Sequence, residues 1–357
     1  MRIYNGLGSP VAAFERLGMH RSRILALGAV GVTLMAALGE IESHDPVEPF
    51  RNAAGLAFDT DCDDPTATEA EHVRAAFTEA ANLPTSEFRL TLEAFADRQA
   101  QRYGFTLVND DQQKAELQQA TTVDQAVDAI DDFTENYGIK FGIKTKSYFL
   151  DVTSAKPISK DDLRIFTLQA DGKGLMEELH FIPKELVQLG GVKDIKLTGD
   201  IEGGHDAGIY QTGRDEIDLD KKDFANDTDV VHELTHPLDK ATCGYWGRKR
   251  DPSFKALNPS GFKYGANNHD TRVVSSNYGG TNVVEDKAEI GRNLLGGDPQ
   301  VLNEPILKRK AQLLLGRFEH RLPRISNYVA AINRYMLLAY TGNLPRDKDS
   351  KFTLGSG

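Results

Sequence analysis

The pattern that most constrains the fold of this chain is the spacing of residues 230–238. At 100° per residue, the apolar side chains fall on one face of a helix: Val230, Val231, Leu234 and Leu238. His232 and His236 fall together on another face, one turn apart, with Glu233 beside them. The apolar face has to pack into a core, so the sequence predicts a packed helix that carries two adjacent imidazoles.

Two histidines at this spacing can bind one Zn²⁺, and the glutamate between them can reach a water on the metal. The alternative is a pair of surface histidines on an amphipathic helix, and a third ligand decides between the two. The metzincin form of such a site needs His or Asp six residues after the second histidine, and Thr242 at that position excludes it.

Candidates for the third ligand follow later in the chain. They are His269, Asp270 and two glutamates on a predicted helix, Glu285 and Glu289. The glutamates are four residues apart and therefore share a helix face. One can bind the metal while the other accepts the N–H of a ligating histidine. A solvated acidic face is the alternative.

The segment before this helix completes a recognisable pattern. Residues 276–279 read Ser-Asn-Tyr-Gly, Tyr278 lies seven residues before Glu285, and residues 285–289 read Glu-Asp-Lys-Ala-Glu. With residues 232–236, this resembles the gluzincin peptidases of the anthrax lethal factor type, over roughly residues 140–345. The resemblance implies an α+β, zincin-like domain with a small mixed sheet, the histidine helix, C-terminal helices and a Zn²⁺ cofactor.

The same resemblance implies roles for individual residues. The zinc ligands would be two imidazoles and one carboxylate, from His232, His236 and Glu285. Glu233 would be the general base, and Tyr278 would steady the oxyanion that forms from the attacked carbonyl. Glu289, and Asp239 three residues after the second histidine, would hold the ligands in position without binding the metal themselves.

The chain departs from the family pattern at two places. Pro237 follows the second histidine directly, removes one helix N–H and crowds the carbonyl of Glu233, so we expect a kink just after His236. Asp286 and Lys287 stand where the family usually has aromatic residues.

A predicted hairpin shortly precedes the histidine helix, with strands at 207–210 and 216–219. In peptidases of this kind an edge strand pairs with the extended substrate. We therefore expect Ile209 and Tyr210 to contact a peptide or protein substrate, the alternative being an ordinary sheet interior. Residues 244–277 read as a loop-rich insert that shapes the cleft.

The spacing of apolar residues divides the rest of the chain into helical and mixed regions. Residues 66–136 have apolar residues at helical spacing. In the middle of the chain, strands are expected at 147–152 and 195–198, with a helix near 174–188 between them. Toward the C-terminus, helices are expected at 284–294, 299–316 and 323–341. The predicted regions are a leader at 1–39, a mainly helical N-terminal region at 40–137, a metallopeptidase-like domain at 138–345 and a tail at 346–357.

The leader has the marks of a processing signal. Residues 1–23 are rich in arginine, and residues 24–39 are uncharged and mostly apolar. As a helix, the apolar run would span about 24 Å, which is short of the ~30 Å hydrocarbon core of a bilayer. This favours a signal peptide over a membrane anchor, and either would place the protein outside the cytoplasm. A buried helix is the alternative.

Charge and cysteine content narrow the function classes. A net charge of -11 argues against a nucleic-acid partner. Cys62 and Cys243 are the only cysteines, either as free thiols or, after export, as one long-range disulfide. The leading hypothesis is a secreted or membrane-anchored zinc endopeptidase. A non-catalytic binding relative and a zinc hydrolase of another substrate are the alternatives.

Overall fold

The computed structural model describes residues 62–144, 158–168, 174–198, 208–220, 230–265, 270–296, 301 and 303–345. The chain begins there with helices, as the spacing predicts: α1 (Ala67–Ala81), α2 (Leu92–Tyr103), α3 (Asp111–Gln119) and α4 (Val123–Glu135). A short 3₁₀ turn, Glu87–Arg89, precedes α2. Threonine hydroxyls cap the N-termini of α1, α2 and α4 by accepting a backbone N–H of the first turn.

A small mixed sheet follows, as expected. Its strands are β1 (Lys140–Lys144), β2 (Asp194–Thr198), β3 (Gly208–Gln211) and β4 (Glu216–Asp220), in the order β1-β2-β4-β3. Strands β1, β2 and β4 are parallel, and β3 runs antiparallel to β4. The predicted hairpin and the strand near 195–198 are confirmed, whereas the expected strand at 147–152 lies outside the described residues.

The prediction of one continuous helix near 174–188 is wrong, because two short helices lie there. The connection to β2 contains α5 (Lys160–Thr167), α6 (Leu175–His180) and α7 (Lys184–Gly190). Pro183 lies immediately before α7. Proline lacks the backbone N–H that a continuous helix would use at that position, so the single predicted helix becomes two short ones.

The histidine helix is α8 (Val230–Arg250), and the short α9 (Pro252–Lys255) follows it. Pro237 does not end this helix, and the non-helical backbone inside α8 is at Gly244, with φ 64° and ψ 170°. Helical geometry persists through Pro237, whose ring lies over Gly190 of α7, where an added Cβ would be 3.4 Å from Pro237 Cβ. Packing against α7 therefore holds the proline within the helix.

The C-terminal helices are α10 (Val283–Leu295), α11 (Pro305–Arg321) and α12 (Ile325–Tyr340). They confirm the predicted helical third, although α11 begins at Pro305 rather than near 299. Proline is well tolerated in the first helical turn, where its missing N–H has no intrahelical acceptor in any case.

The described residues belong to one compact unit, residues 59–357. Its apolar core joins the first helices to the last: Phe95 of α2 lies 5.0 Å from Tyr335 of α12 between ring centroids. Helix α1 packs against α11 and α12. The boundary near residue 137 stays a prediction.

A disulfide joins Cys62, at the start of the described chain, to Cys243 on α8. It resolves the two sequence alternatives in favour of a paired state and occupies the sulfur of Cys243. Within the part of the chain that the structure describes, we find no helix that is both long and apolar enough to cross a membrane. Residues 24–39 lie outside that part.

Candidate metal centre

The histidine helix is buried on more than its apolar face. Val230, Val231, Leu234 and Leu238 are at most 2% exposed, which confirms the predicted core face. His232, Glu233 and His236 are also buried, at 2%, 4% and 8% exposure. Helix α10 and strand β3 pack against α8 and cover this second face. The two imidazoles are therefore buried between packed elements and are not surface histidines.

Helix α10 supplies the carboxylates, and its start is fixed by a local cap. The side-chain oxygen of Asn282 accepts the backbone N–H groups of Val284 at 2.8 Å and Glu285 at 3.1 Å. This cap places Glu285 in the first turn and Glu289 one turn later. Both carboxylates then reach α8.

Three side chains of the predicted ligand set converge. Glu285 Oε2 lies 3.1 Å from His232 Nε2 and 3.5 Å from His236 Nε2. All three donor atoms lie within 4.8 Å of one another. Tetrahedral Zn²⁺ with bonds of about 2.0–2.1 Å has ligand atoms about 3.3 Å apart. The donor types and their spacing therefore fit a zinc ion with three protein ligands.

Glu289 contacts the ring nitrogen of His232 that does not face Glu285, as the sequence predicted. Its Oε1 is 2.8 Å from His232 Nδ1, and its Oε2 accepts a hydrogen bond from Arg292 at 3.1 Å. A neutral imidazole that donates from Nδ1 has its lone pair on Nε2, which is the nitrogen that faces Glu285. This contact therefore sets both the ring orientation and the tautomer that metal binding needs.

The electrostatics of the site favour a cation. Burial alone would lower the pKa of His232, but its hydrogen bonds to Glu285 and Glu289 outweigh burial and raise that pKa to about 10. Burial would raise the pKa of Glu285, yet the hydrogen bonds with both histidines hold it well below its usual range. A positive charge, whether a proton or a metal ion, is therefore stabilised between these groups.

Gly208 is a site residue that the sequence reasoning missed. A Cβ at this position would lie 2.6 Å from Cγ of Glu233 and 3.0 Å from Cδ2 of Leu219. Strand β3 therefore passes directly over the predicted general base, at a distance that only glycine allows. A glycine inside a predicted strand is a known sign of close approach, and this signal was available.

Tyr278 lies at the open side of the site. Its side chain is 47% exposed, and its ring centroid is 5.6 Å from that of His232. A tight turn holds it: the Gly279 N–H donates to Ser276 Oγ at 3.0 Å, and the Thr281 N–H donates to the Tyr278 carbonyl at 3.0 Å. The tyrosine is thus next to the imidazoles and accessible from outside.

The remaining predicted residues lie in different places. Asp239 is buried on α8, and its carboxylate pairs with Lys287 at 2.7 Å. Tyr210 faces the core, and its hydroxyl donates to Asp215 at 3.1 Å. Ile209, on the opposite face of β3, is half-buried. Of the described strands, β3 borders the sheet on the side of α8, while β4 lies inside it.

Of the other two ligand candidates, Asp270 is the one that the structure describes, and it does not join this cluster. Asp270 forms an exposed ion pair with Arg272 at 2.9 Å, and His269 lies outside the described residues. The predicted loop-rich insert at 244–277 is wrong at its start, because residues 244–250 belong to α8 and α9 follows directly.

Comparison with known proteins gives one structural likeness. No protein-family model matches the chain, and no curated protein matches it. The chain is similar to the crystal structure of a "putative zinc-binding metallo-peptidase" from Bacteroides caccae ATCC 43185, at 14% identity and a TM-score of 0.42. The match covers 66% of this chain and 97% of that chain. A likeness at this level assigns no activity to the chain, so the roles of the site residues rest on their geometry.

Proposed function

We propose that this protein is a zinc-dependent endopeptidase of the gluzincin type. The observation that carries the proposal is the convergence of His232, His236 and Glu285, with their donor atoms within 4.8 Å of one another. Two neutral nitrogens and one carboxylate are the ligand set of catalytic zinc sites in peptidases, which keep a further position for water or substrate. When bound in such a site, zinc supplies Lewis-acid chemistry for hydrolysis.

Glu233 is the general base in this proposal. It lies between the two histidines on α8 and is 4% exposed, so its carboxylate is largely shielded from bulk solvent. In hydrolysis it takes a proton from the attacking water and delivers it to the leaving amine. Gly208 limits the room around its side chain and so restricts the carboxylate to few positions.

Tyr278 is the proposed electrophilic partner. Its hydroxyl donates a hydrogen bond to the oxygen of the attacked carbonyl as negative charge develops there. Its spacing from Glu285 matches the lethal-factor-type gluzincins, and its position beside His232 supports the same role. Half exposure suits a residue that meets substrate from the open side.

A peptide is the favoured substrate because of β3. Within the described sheet, β3 pairs on one side only, with β4, and Gly208 at its start touches the general base. An extended peptide that pairs with this edge would run past Glu233, and its main chain would supply the affinity. A zinc hydrolase of a small non-peptide substrate would not need a strand edge with which the substrate can pair.

We also propose that the protein acts outside the cytoplasm. The disulfide between Cys62 and Cys243 supports this proposal, because such bonds persist in oxidising compartments. The apolar residues 24–39 suit export or a membrane tether.

The variant Glu233→Gln tests the proposed function. We expect it to retain zinc and to lose peptide hydrolysis by about 10²–10⁴-fold, because the amide cannot accept the proton. A peptide library cleaved by the wild type supplies the assay, and Glu304→Gln, an exposed glutamate at the start of α11, is the control. Hydrolysis by Glu233→Gln at the wild-type rate would contradict the proposal.

A further inference from the structure

Lys287 is a fully buried lysine in an unexpected place. It is 0% exposed and lies on α10 between Glu285 and Glu289, at a position where the resembling family usually has an aromatic residue. A buried ammonium group is strongly unfavourable unless its charge and its donors are matched. Its partners therefore show what the residue does.

The ammonium group of Lys287 has three acceptors, all outside α10. It lies 2.7 Å from Asp239 on α8, 2.9 Å from the carbonyl oxygen of Arg248 near the end of α8, and 2.9 Å from Asp251. Asp251 in turn accepts two hydrogen bonds from Arg317 of α11, at 2.7 Å and 2.8 Å. A charged network therefore connects α8, α10 and α11 beneath the site.

The positions of these contacts matter for the metal centre. Asp239 lies three residues after His236, and Lys287 lies two residues after Glu285. The ion pair therefore links the turn that carries one proposed ligand to the turn that carries another. Asp239 and Arg248 lie on opposite sides of the break at Gly244, so one ammonium group holds both halves of α8.

Lys310 provides an internal comparison. It is also 0% exposed, and its ammonium group lies 2.6 Å from Asp286 on α10 and 2.5 Å from the carbonyl oxygen of Val273. Neither partner is on α8. Lys310 therefore connects α10 to α11 and to the insert, whereas Lys287 connects α10 to the histidine helix.

We propose that Lys287 is a positioning residue that sets the separation between the ligands on α8 and the ligand on α10. Its contacts with Asp239 and with Arg248 fix the histidine helix against α10. The metal-binding geometry then depends on a lysine that does not touch the metal. This inference rests on the proposed zinc site.

The test compares Lys287→Met with Lys310→Met. Each variant removes one buried ammonium group and keeps a side chain of similar length. Zinc affinity is measured by competition with a chromophoric chelator, and unfolding by denaturant gives the stability of each variant. We expect Lys287→Met to bind zinc about 10–100-fold more weakly, and Lys310→Met to lose stability while it keeps the wild-type zinc affinity.

A second variant covers the case in which Lys287→Met does not fold. Asp239→Asn combined with Lys287→Met removes both charges of the pair formed by these two residues, and Asp251 keeps its two hydrogen bonds from Arg317. Removing both charges of a buried pair is far less costly than removing one. We expect this double variant to fold and to show the same loss of zinc affinity. At saturating zinc, kcat should fall while KM for the peptide stays close to the wild-type value.

Wild-type zinc affinity in either variant of Lys287 would overturn the inference and leave the proposed function intact. Equal losses in the variants of Lys287 and Lys310 would also overturn it, because the effect would then follow general stability. A wild type that binds zinc but hydrolyses no peptide would overturn the proposed function alone, and a wild type that binds no zinc would overturn both.

Discussion

At the scale of single residues, the site is fixed by contacts to both nitrogens of one imidazole. His232 has Glu285 at 3.1 Å from Nε2 and Glu289 at 2.8 Å from Nδ1. A ring held at two atoms has little freedom to rotate, and its pKa is raised to about 10 by the same carboxylates, which outweigh the effect of burial. Binding of a metal at Nε2 requires the neutral form of this imidazole.

Gly208→Ala is expected to impair catalysis without removing the metal. The new Cβ would stand 2.6 Å from Cγ of Glu233, so the proposed general base has to move. A displacement on the order of 1 Å costs about 10²-fold in rate. Steady-state hydrolysis and zinc content are the measurements, and we expect kcat to fall while zinc stays bound.

Gly213→Ala, in the turn between β3 and β4, is the matched control, because a Cβ there meets no atom within 4 Å. It should hydrolyse peptides like the wild type. Equal activity of the variants at 208 and 213 would show that the contact with Glu233 does not matter for the reaction.

Asp251 is expected to make stability depend on acid pH. Burial would raise its pKa, but Arg317 and Lys287 outweigh burial and lower it to about 2. The folded-state pKa lies below the unfolded value near 4, so this stabilisation is present above about pH 4 and is lost as the pH falls towards 2. Its size is about 2 kcal/mol.

Denaturant unfolding of the wild type and Asp251→Asn between pH 5 and pH 2 measures this contribution. The free energy of unfolding should fall by about 2 kcal/mol more in the wild type than in the variant. Parallel curves for the two proteins would show that Asp251 does not carry this dependence.

The sequence predicted the residues of the site better than their surroundings. Spacing along helices pairs His232 with His236 and Glu285 with Glu289, which is a local property that the chain reveals directly. The resemblance to the gluzincins joined the two pairs into one site. The partners of Lys287 were not predicted, because they depend on how two distant helices cross. Local periodicity contains no information on that crossing.

At the scale of elements, the metal centre depends on the contact between α8 and α10. A Cβ at Gly291 of α10 would lie 2.3 Å from Oγ1 and 2.4 Å from Cγ2 of Thr235 on α8. Thr235 is itself fully buried. The two helices therefore approach closely two residues beyond Glu289, and this approach brings the carboxylates of α10 within reach of the imidazoles.

Gly291→Ala is expected to push α10 away from α8. Overpacking of this kind costs about 1–3 kcal/mol of stability, and we expect zinc affinity to fall with it. Adding Thr235→Ala removes both atoms of the closest contacts and should restore much of the loss. Denaturant unfolding and chelator competition give the two quantities.

Gly265→Ala serves as the control in the same experiments, since a Cβ there has no atom within 4 Å. If Gly291→Ala matches the control in both stability and zinc affinity, the close approach of the helices is not what assembles the site.

Helix interruptions were the least predictable feature at this scale. Pro237 stands in a continuous helix, whereas Pro183 separates two helices. The residue type is the same, and the difference is tertiary: Pro237 packs against Gly190 at the contact of α8 with α7. Sequence alone predicts that a proline disfavours a helix, but not whether packing compensates.

At the scale of the whole molecule, the start of the described chain is bonded to the histidine helix just before its break at Gly244. Cys62 is bonded to Cys243, and the Asp63 N–H donates to the Thr242 carbonyl at 2.8 Å. Asp64 accepts from Arg317 at 2.6 Å, which connects it to the network around Asp251. Distant parts of the sequence are thus joined close to α8.

Reduction of the disulfide is expected to lower the free energy of unfolding by about 2–4 kcal/mol, because the reduced unfolded chain gains conformational freedom. Unfolding with and without a reductant measures this difference. The chain has 2 cysteines, so the double variant Cys62→Ser with Cys243→Ser should not respond to the reductant. Equal stability of oxidised and reduced wild type would contradict the expectation.

The overall architecture was predictable in class and only partly in detail. The hairpin and the C-terminal helices followed from periodicity and turn residues, and the α+β class followed from the family resemblance. The strand order β1-β2-β4-β3, the position of β1 at 140–144 and the disulfide did not. These features depend on contacts between residues far apart in sequence, and the periodicity of each segment does not specify its partner.

Zinc binding by the wild type beside Glu285→Ala tests the central claim most directly. Metal analysis and chelator competition are done on both proteins after purification. We predict about one zinc per wild-type chain, because the three donor atoms form a complete protein ligand set. The variant should bind zinc far more weakly, since it loses the carboxylate between the two imidazoles. A metal-free wild type, or a Glu285→Ala variant with wild-type affinity, would contradict the account.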